Sequence, residues 1–118
     1  GGLAEPFRAP GRMLVGTLPI GTSDGLRRSY ASGASVLVRG RRCPIIGGIC
    51  LEHTIIDLTE AEQAEVGDEA VFWGEQGEAI ITLSEHAVWA GTSEMQVVVQ
   101  LGRTIPRVYL KRGHPVAV

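Results

Sequence analysis

No apolar stretch in these 118 residues approaches the roughly 20 needed to cross a bilayer as a helix, so no membrane span is expected. Residues 1–11 also lack the apolar core of a signal peptide, and a cytoplasmic location is the expectation that follows. An excess of one charge is missing as well. Eleven Lys and Arg stand against thirteen Asp and Glu, for a net charge of −2, and no four like charges are consecutive. Neutralising a phosphate backbone takes clustered cations, so no nucleic-acid partner is expected, and Arg39, Arg41 and Arg42 read as a solvated turn. Cysteine is scarce. Cys43 and Cys50 lie among Pro, Ile and Gly in what reads as core strand, which suits two buried thiols better than a disulfide. Without a CxxC or a ligand-spaced His, no metal site is expected. Lysine occurs once, at Lys111, and GxSxG, phosphate-loop and GxGxxG patterns are all absent. No cofactor motif is present.

Glycine, by contrast, is plentiful at sixteen residues, and with six prolines and many Val and Ile it points to short strands joined by tight turns. A hydrophobic fraction of 44% with 20% charged residues is that of a folded domain, and the length suits one core. Residues 1–11 read as a flexible leader, 12–112 as the domain and 113–118 as a tail that includes His114. Met13–Ile20 is an apolar run closed by Pro19 and Gly21, hence a strand. Val36–Arg39, then Gly40, then Cys43–Ile49 predicts a hairpin. Ile45–Leu58 reads as one long strand bent at Gly47-Gly48. Thr59–Glu62 has capping-box spacing without an apolar run behind it, so one helical turn at most is expected. Ala70–Trp73 and Glu78–Ile81 are two more strands around Gly74–Gly77. Thr82-Leu83-Ser84-Glu85 is a fuller capping box, followed by Ala87, Val88 and Ala90 and stopped by Gly91. Met95–Leu101 and Ile105–Leu110 read as final strands. The expected fold is mostly β: a small closed or partly open β-barrel with one short helix.

Several residues could carry chemistry. Asp24, between Ser23 and Gly25, is either a general base or a turn residue whose carboxylate binds local backbone amides. Glu52 and His53 are neighbours on an expected strand, so their side chains face opposite ways and cannot act as one acid–base pair. If Glu52 faces inward, burial pushes its carboxyl toward neutrality; if it lies at the rim, it is an ordinary solvated carboxylate. His86 is expected to face solvent from the first turn of the helix. Met13, Met95, Trp73, Trp89 and Tyr30 read as core residues, although several of them in one cavity would suit a large apolar guest.

The segments Pro19-Ile20-Gly21-Thr22-Ser23-Asp24-Gly25, Val36–Gly40 with Pro44–Gly47, Ile49–His53, Val66–Val71 with Trp73-Gly74, Ala90-Gly91-Thr92 and Ile105–Tyr109 recur in one order over most of the length. In that arrangement the chain resembles the C-terminal β-barrel domain of alanine racemase. The resemblance implies that the position of Thr22 holds, in typical members, the Tyr of Gly-Tyr-x-Asp-Gly, a catalytic base. Cys50-Leu51-Glu52 stands for the family's Cys-Met-Asp, and Met95 for its phosphate-binding Tyr. A Thr hydroxyl cannot replace a phenol as a base near neutrality, and Met95 offers no donor to a phosphate. The family's Schiff-base lysine and its phosphate site belong to a separate TIM-barrel domain, for which this chain has no room, so racemisation through pyridoxal phosphate is not expected of the chain alone.

Two functions remain. Small standalone relatives of this domain are understood to include cofactor-free cyclases of polyketide macrocycles, so the resemblance extends to an intramolecular cycloaddition on an apolar small-molecule substrate. Ordering a chain whose ends must meet would contribute up to about 7–11 kcal/mol in favourable cases without any acid or base. Thr22, Leu51, Glu52 and Met95 would line that pocket, with Asp24, His53 and Trp73 beside it, and Glu52 or Tyr30 would hydrogen-bond a carbonyl. The alternative is a non-catalytic barrel that docks onto a separate racemase-like, pyridoxal-binding chain. A homo-oligomer is expected in either case, because a face that evolved covered rarely stays bare.

Overall fold

The computed structural model describes residues 7–100 and 105–116. Its main layer is a five-stranded antiparallel sheet of β1 (Val15–Leu18), β2 (Ser35–Val38), β3 (Arg41–Ile46), β4 (Thr54–Asp57) and β5 (Ala70–Val71), in the order β1-β4-β3-β2-β5. The sheet curls into a partly open barrel. Its two edge strands, β1 and β5, stay unpaired to each other, and an apolar cleft of about 640 Å³ lies along the seam between β1 and residues 64–70. The expected hairpin is present: Val38 pairs with Arg41 across Arg39 and Gly40, both with positive φ (53° and 72°), the backbone that suits the twist of a two-residue turn.

Val36, Leu37 and Val38 are all buried, so β2 is covered on both faces; Val36 and Val38, with Cys43, Ile45, Ile56, Leu58 and Ala61, form the centre of the domain. Burying each such aliphatic side chain stabilises the fold by about 1.5–3 kcal/mol. A small hairpin, β6 (Gly74–Gln76) and β7 (Ala79–Ile81), turns at Gly77, so three of the four residues expected as a turn at 74–77 are strand. Helix α1 (Leu83–Ala90) starts and stops as its sequence predicts. The Thr82 hydroxyl accepts from the Glu85 amide, the Glu85 carboxylate accepts from the Thr82 amide at 2.8 Å, and Gly91 closes the helix with φ 67°.

Four expectations are corrected. Met95–Leu101 is no strand: Glu94–Val99 is a second helix, α2, because the Ser93 hydroxyl caps it by accepting from the Gln96 amide, and the cap outweighs the β-propensity of three valines. Leu101 lies outside the described residues. The long bent strand Ile45–Leu58 is broken, since Gly47 at φ 67° ends β3 and residues 47–53 form a loop before β4. Ile105–Leu110 is strand only at its end: β8 (Tyr109–Lys111) pairs with β9 (His114–Val116), which takes His114 out of a frayed tail and carries this exposed hairpin across residue 112. His86 does not face solvent; it is buried. Of the leader, residues 1–6 lie outside the described residues. The single turn at Thr59–Ala61 is present. Among the described residues, no helix is long and apolar enough to cross a membrane, and no group of three or more His, Cys, Asp and Glu could hold a metal ion.

Candidate functional site

Pairing of Leu18 with Thr54 puts the loop after β1 and the loop before β4 at the same end of the sheet. There they lock together through backbone. The Thr22 amide donates to the Cys50 carbonyl at 2.9 Å, and the Ser23 amide and hydroxyl both donate to the Leu51 carbonyl at 3.0 and 2.7 Å. Gly21 permits the approach: a Cβ there would stand 2.2 Å from the Cys50 oxygen. The Asp24 carboxylate accepts from the Gly21 amide at 3.0 Å, the turn role rather than that of a free base. The Thr54 hydroxyl donates to the Ile20 carbonyl at 2.6 Å and ties the base of the two loops.

This shelf presents its side chains outward. Leu51 is 71% exposed, Glu52 and His53 are exposed and Thr22 is half-buried. Glu52 and His53 therefore sit on a loop rather than a strand, and Glu52 is a solvated carboxylate instead of a desolvated proton donor. Cys50, expected to be buried in strand, is half-buried in the same loop, and it and Cys43 are both free thiols. Met95 stands apart on α2, 75% exposed.

Tyr30, Trp73 and Asp24 meet elsewhere. They line an apolar cleft of about 370 Å³ together with Phe72, His86 and Ile105, and Thr22, Leu51, Glu52 and Met95 are not among its lining residues. At its base the Tyr30 hydroxyl lies 2.8 Å from His86 Nδ1, and His86 Nε2 lies 2.5 Å from the Phe72 carbonyl oxygen. A carbonyl only accepts, so the proton is on Nε2, and Tyr30 donates to Nδ1. The His86 ring sits 5.4 Å from Tyr30, 6.4 Å from Trp73 and 5.2 Å from Trp89. Burial lowers the His86 pKa below the ordinary imidazole value, against the opposing pull of the Phe72 hydrogen bond and of Glu85. Burial likewise raises the Tyr30 phenol, partly offset by Arg27, and the Cys43 thiol. Near neutrality the Tyr30–His86–Phe72 chain in this ring-walled cleft is thus uncharged and its polar groups satisfy one another, while Asp24 and Glu69 are also among the lining residues. His86 was missed in the sequence, although Leu83, His86, Ala87 and Ala90 follow the i, i+3, i+4, i+7 spacing of a buried helix stripe.

Comparison with known proteins places this geometry in context. Residues 2–109 match the family model described as "Alanine racemase, C-terminal domain". Alanine racemase 2 of Caldanaerobacter subterraneus subsp. tengcongensis is 44% identical over 99 residues, which is 84% of this chain and 26% of that protein. Alanine racemase of Thermodesulfovibrio yellowstonii is 39% identical over 82% of this chain and 27% of its own length. Among solved structures, alanine racemase from Streptomyces coelicolor A3(2) superposes with a TM-score of 0.79 at 33% identity, over 87% of this chain and 27% of that one. The alanine racemase of Clostridium difficile 630 gives 0.82 at 27% identity, over 94% and 29%. This chain therefore spans only about a quarter of the length of the curated relatives it matches.

Proposed function

Given that the chain belongs to the alanine racemase C-terminal domain family, we propose that it is the barrel half of a racemase-type assembly, closing the site of a pyridoxal-binding α/β-barrel half and presenting Thr22, Leu51 and Glu52 to it. The observation that carries this is the shelf. Two loops are held rigid by backbone hydrogen bonds, yet the side chains they fix point out to solvent, where they serve only something brought up to them from outside. The residues here do not fit pyridoxal phosphate by themselves: the one lysine, Lys111, is exposed on the β8–β9 hairpin. At neutral pH the Thr22 hydroxyl keeps its proton, being a far weaker acid than a phenol, so the barrel orients and covers without acting as a base.

A chimera tests this. The barrel of the Caldanaerobacter alanine racemase 2 is exchanged for residues 12–116 of this chain, which keeps the β8–β9 hairpin whole. The expected product assembles, loads pyridoxal phosphate and racemises alanine more slowly than its parent by about 10²–10⁴-fold, with partial recovery in Thr22→Tyr. A chimera whose folded barrel does not associate with the α/β half overturns the proposal, and one as fast as its parent overturns the argument that Thr22 leaves the barrel without a base.

A second function is favoured by the ring-walled cleft that gathers Asp24, Tyr30 and Trp73: cofactor-free cyclisation of an apolar polyketide-type chain, driven by ordering of its reacting ends. Native mass spectrometry of the protein from its producing cells separates the two. A homo-oligomer carrying an apolar polyketide supports cyclisation; a stable complex with a pyridoxal-bearing chain supports the racemase-type assembly.

A further inference from the structure

We propose that the apolar seam beside β1 is filled by β8 of a second copy of this chain, so that two copies exchange their β8–β9 hairpins and form a two-fold dimer. The inference uses neither the shelf nor the ring-walled cleft, so it stands whichever of the two functions holds.

The hairpin supplies one half of the contact. A lone two-stranded ribbon is at best marginally stable in water, yet all six strand residues of β8 and β9 are exposed, Leu110 at 64%, and Val108 before them at 71%. Its turn is the two-residue kind, with positive φ at Arg112 (53°) and Gly113 (80°), so Lys111 and His114 close it as a hydrogen-bonded pair. The next pair, Leu110 with Pro115, then turns its backbone outward on both sides. Pro115 has no N–H to offer there, which blunts the β9 edge, whereas Leu110 leaves a donor and an acceptor on the β8 edge.

Strand β1 supplies the other half. The Leu58 amide donates to the Leu14 carbonyl at 2.9 Å, in the register that pairs Val15 with Asp57, so alternation turns the amides and carbonyls of Val15 and Thr17 away from β4. That free edge borders the cleft of about 640 Å³, whose walls include Leu14, Leu18, Ile56, Leu58 and Val66. Val108 and Leu110, two positions apart on one face of the incoming strand, are the apolar side chains to fill it.

Charge names the occupant. Leaving His aside, every charged residue from 43 to 94 is acidic and every later one is basic. Residues 60–69, part of which walls the seam, hold Glu60, Glu62, Glu65, Asp68 and Glu69; Arg39 pairs with Asp68 at 2.8 Å and Arg41 lines a pocket with Glu60 and Glu62, so acids outnumber cations there. The hairpin brings Lys111 and Arg112, neither of them in an ion pair among the described residues. Exchange of hairpins between two copies satisfies both patches of both chains and closes the assembly at a dimer.

Sedimentation equilibrium of the whole chain over about 5–200 µM tests this. A monomer–dimer equilibrium is expected in that range, with a dissociation constant that rises about threefold or more between about 0.05 and 0.5 M NaCl. Leu110→Pro removes the outward donor while copying what β9 already tolerates at Pro115, and Val15→Lys puts a charge on the facing edge; each should weaken the dimer by about tenfold or more. If one variant fails to fold, the other decides. Lys111→Glu should weaken the dimer by about threefold or more, and Glu65→Lys added to it should restore part of the loss. Amide exchange at Val15, Thr17 and Leu110 should slow as the dimer forms. A monomer across the whole range, a dimer unmoved by the folded Leu110→Pro and Val15→Lys variants, or unchanged exchange at those three amides overturns the inference.

Discussion

Tyr30→Phe deletes one oxygen from the core and asks whether the buried Tyr30–His86–Phe72 chain holds the domain together. The Phe72 carbonyl fixes the histidine proton on Nε2, so Nδ1 presents a lone pair whose one partner among the described residues is the Tyr30 hydroxyl at 2.8 Å. His86 is only 5% exposed and Tyr30 4%, so the orphaned nitrogen would sit away from bulk water. Leaving a buried acceptor unsatisfied costs about 1–3 kcal/mol, whereas the new phenyl ring fits the space of the old one. For a chain of 118 residues the entropy of unfolding is roughly 0.25 kcal/mol/K, so the melting temperature should fall by about 4–12 °C. Calorimetric melting at pH 7.5, where the imidazole is neutral in both states, measures this directly. A variant melting within about 2 °C of the parent would refute the reasoning, since the hydroxyl would then carry no net stabilisation. In a double-mutant cycle with His86→Leu, the cost of Tyr30→Phe should shrink by about 0.5 kcal/mol or more, because the two groups share one bond.

Gly21→Ala places a methyl 2.2 Å from the Cys50 carbonyl oxygen, against backbone that cannot rotate away; a loss of about 1–3 kcal/mol is expected, with faster hydrogen exchange at the Thr22 and Ser23 amides. Thr82→Ala removes the hydroxyl that caps α1 and should cost about 1 kcal/mol by urea unfolding, with Thr82→Ser close to the parent. Stability should fall on the acid side: the folded His86 has a pKa below 6.5, so the unfolded chain binds more protons, and stability present above about pH 6.5 is lost as pH drops toward the folded value. It should also fall on the alkaline side, as pH passes the unfolded values of about 9 for Cys43 and 10 for Tyr30, because both are raised in the fold; a urea midpoint flat from pH 5 to 8 would contradict the acid limb.

The elements written in local chemistry were legible. Arg39-Gly40 between two apolar runs gives the β2–β3 hairpin, and Thr82 to Glu85 with Gly91 gives α1, because each signal is complete within a few residues. The second helix was hidden for the opposite reason: Val97, Val98 and Val99 argue for strand one residue at a time, while the single Ser93 cap and the burial of Val97 against the core act on the segment as a whole. His86 shows the same competition between scales, since an imidazole in a first turn looks solvated until its place on the Leu83–Ala90 stripe is weighed.

What no local pattern shows is which loops meet. Ser23 and Leu51 stand 28 positions apart, and their partnership depends on β1 and β4 pairing antiparallel so that Leu18 faces Thr54. That register alone carries both loops to one end of the sheet, and the missing Cβ at Gly21 then lets the two backbones close. The same register decides against the desolvated Glu52 of the strand-based expectation: with β4 beginning only at Thr54, the preceding residues have no ladder to alternate on, and the carboxylate is left in water. An exposed carboxyl group on a rigid shelf is poorly placed as an internal acid and well placed as a contact for a second body, which is what the proposed covering role asks of this end of the barrel.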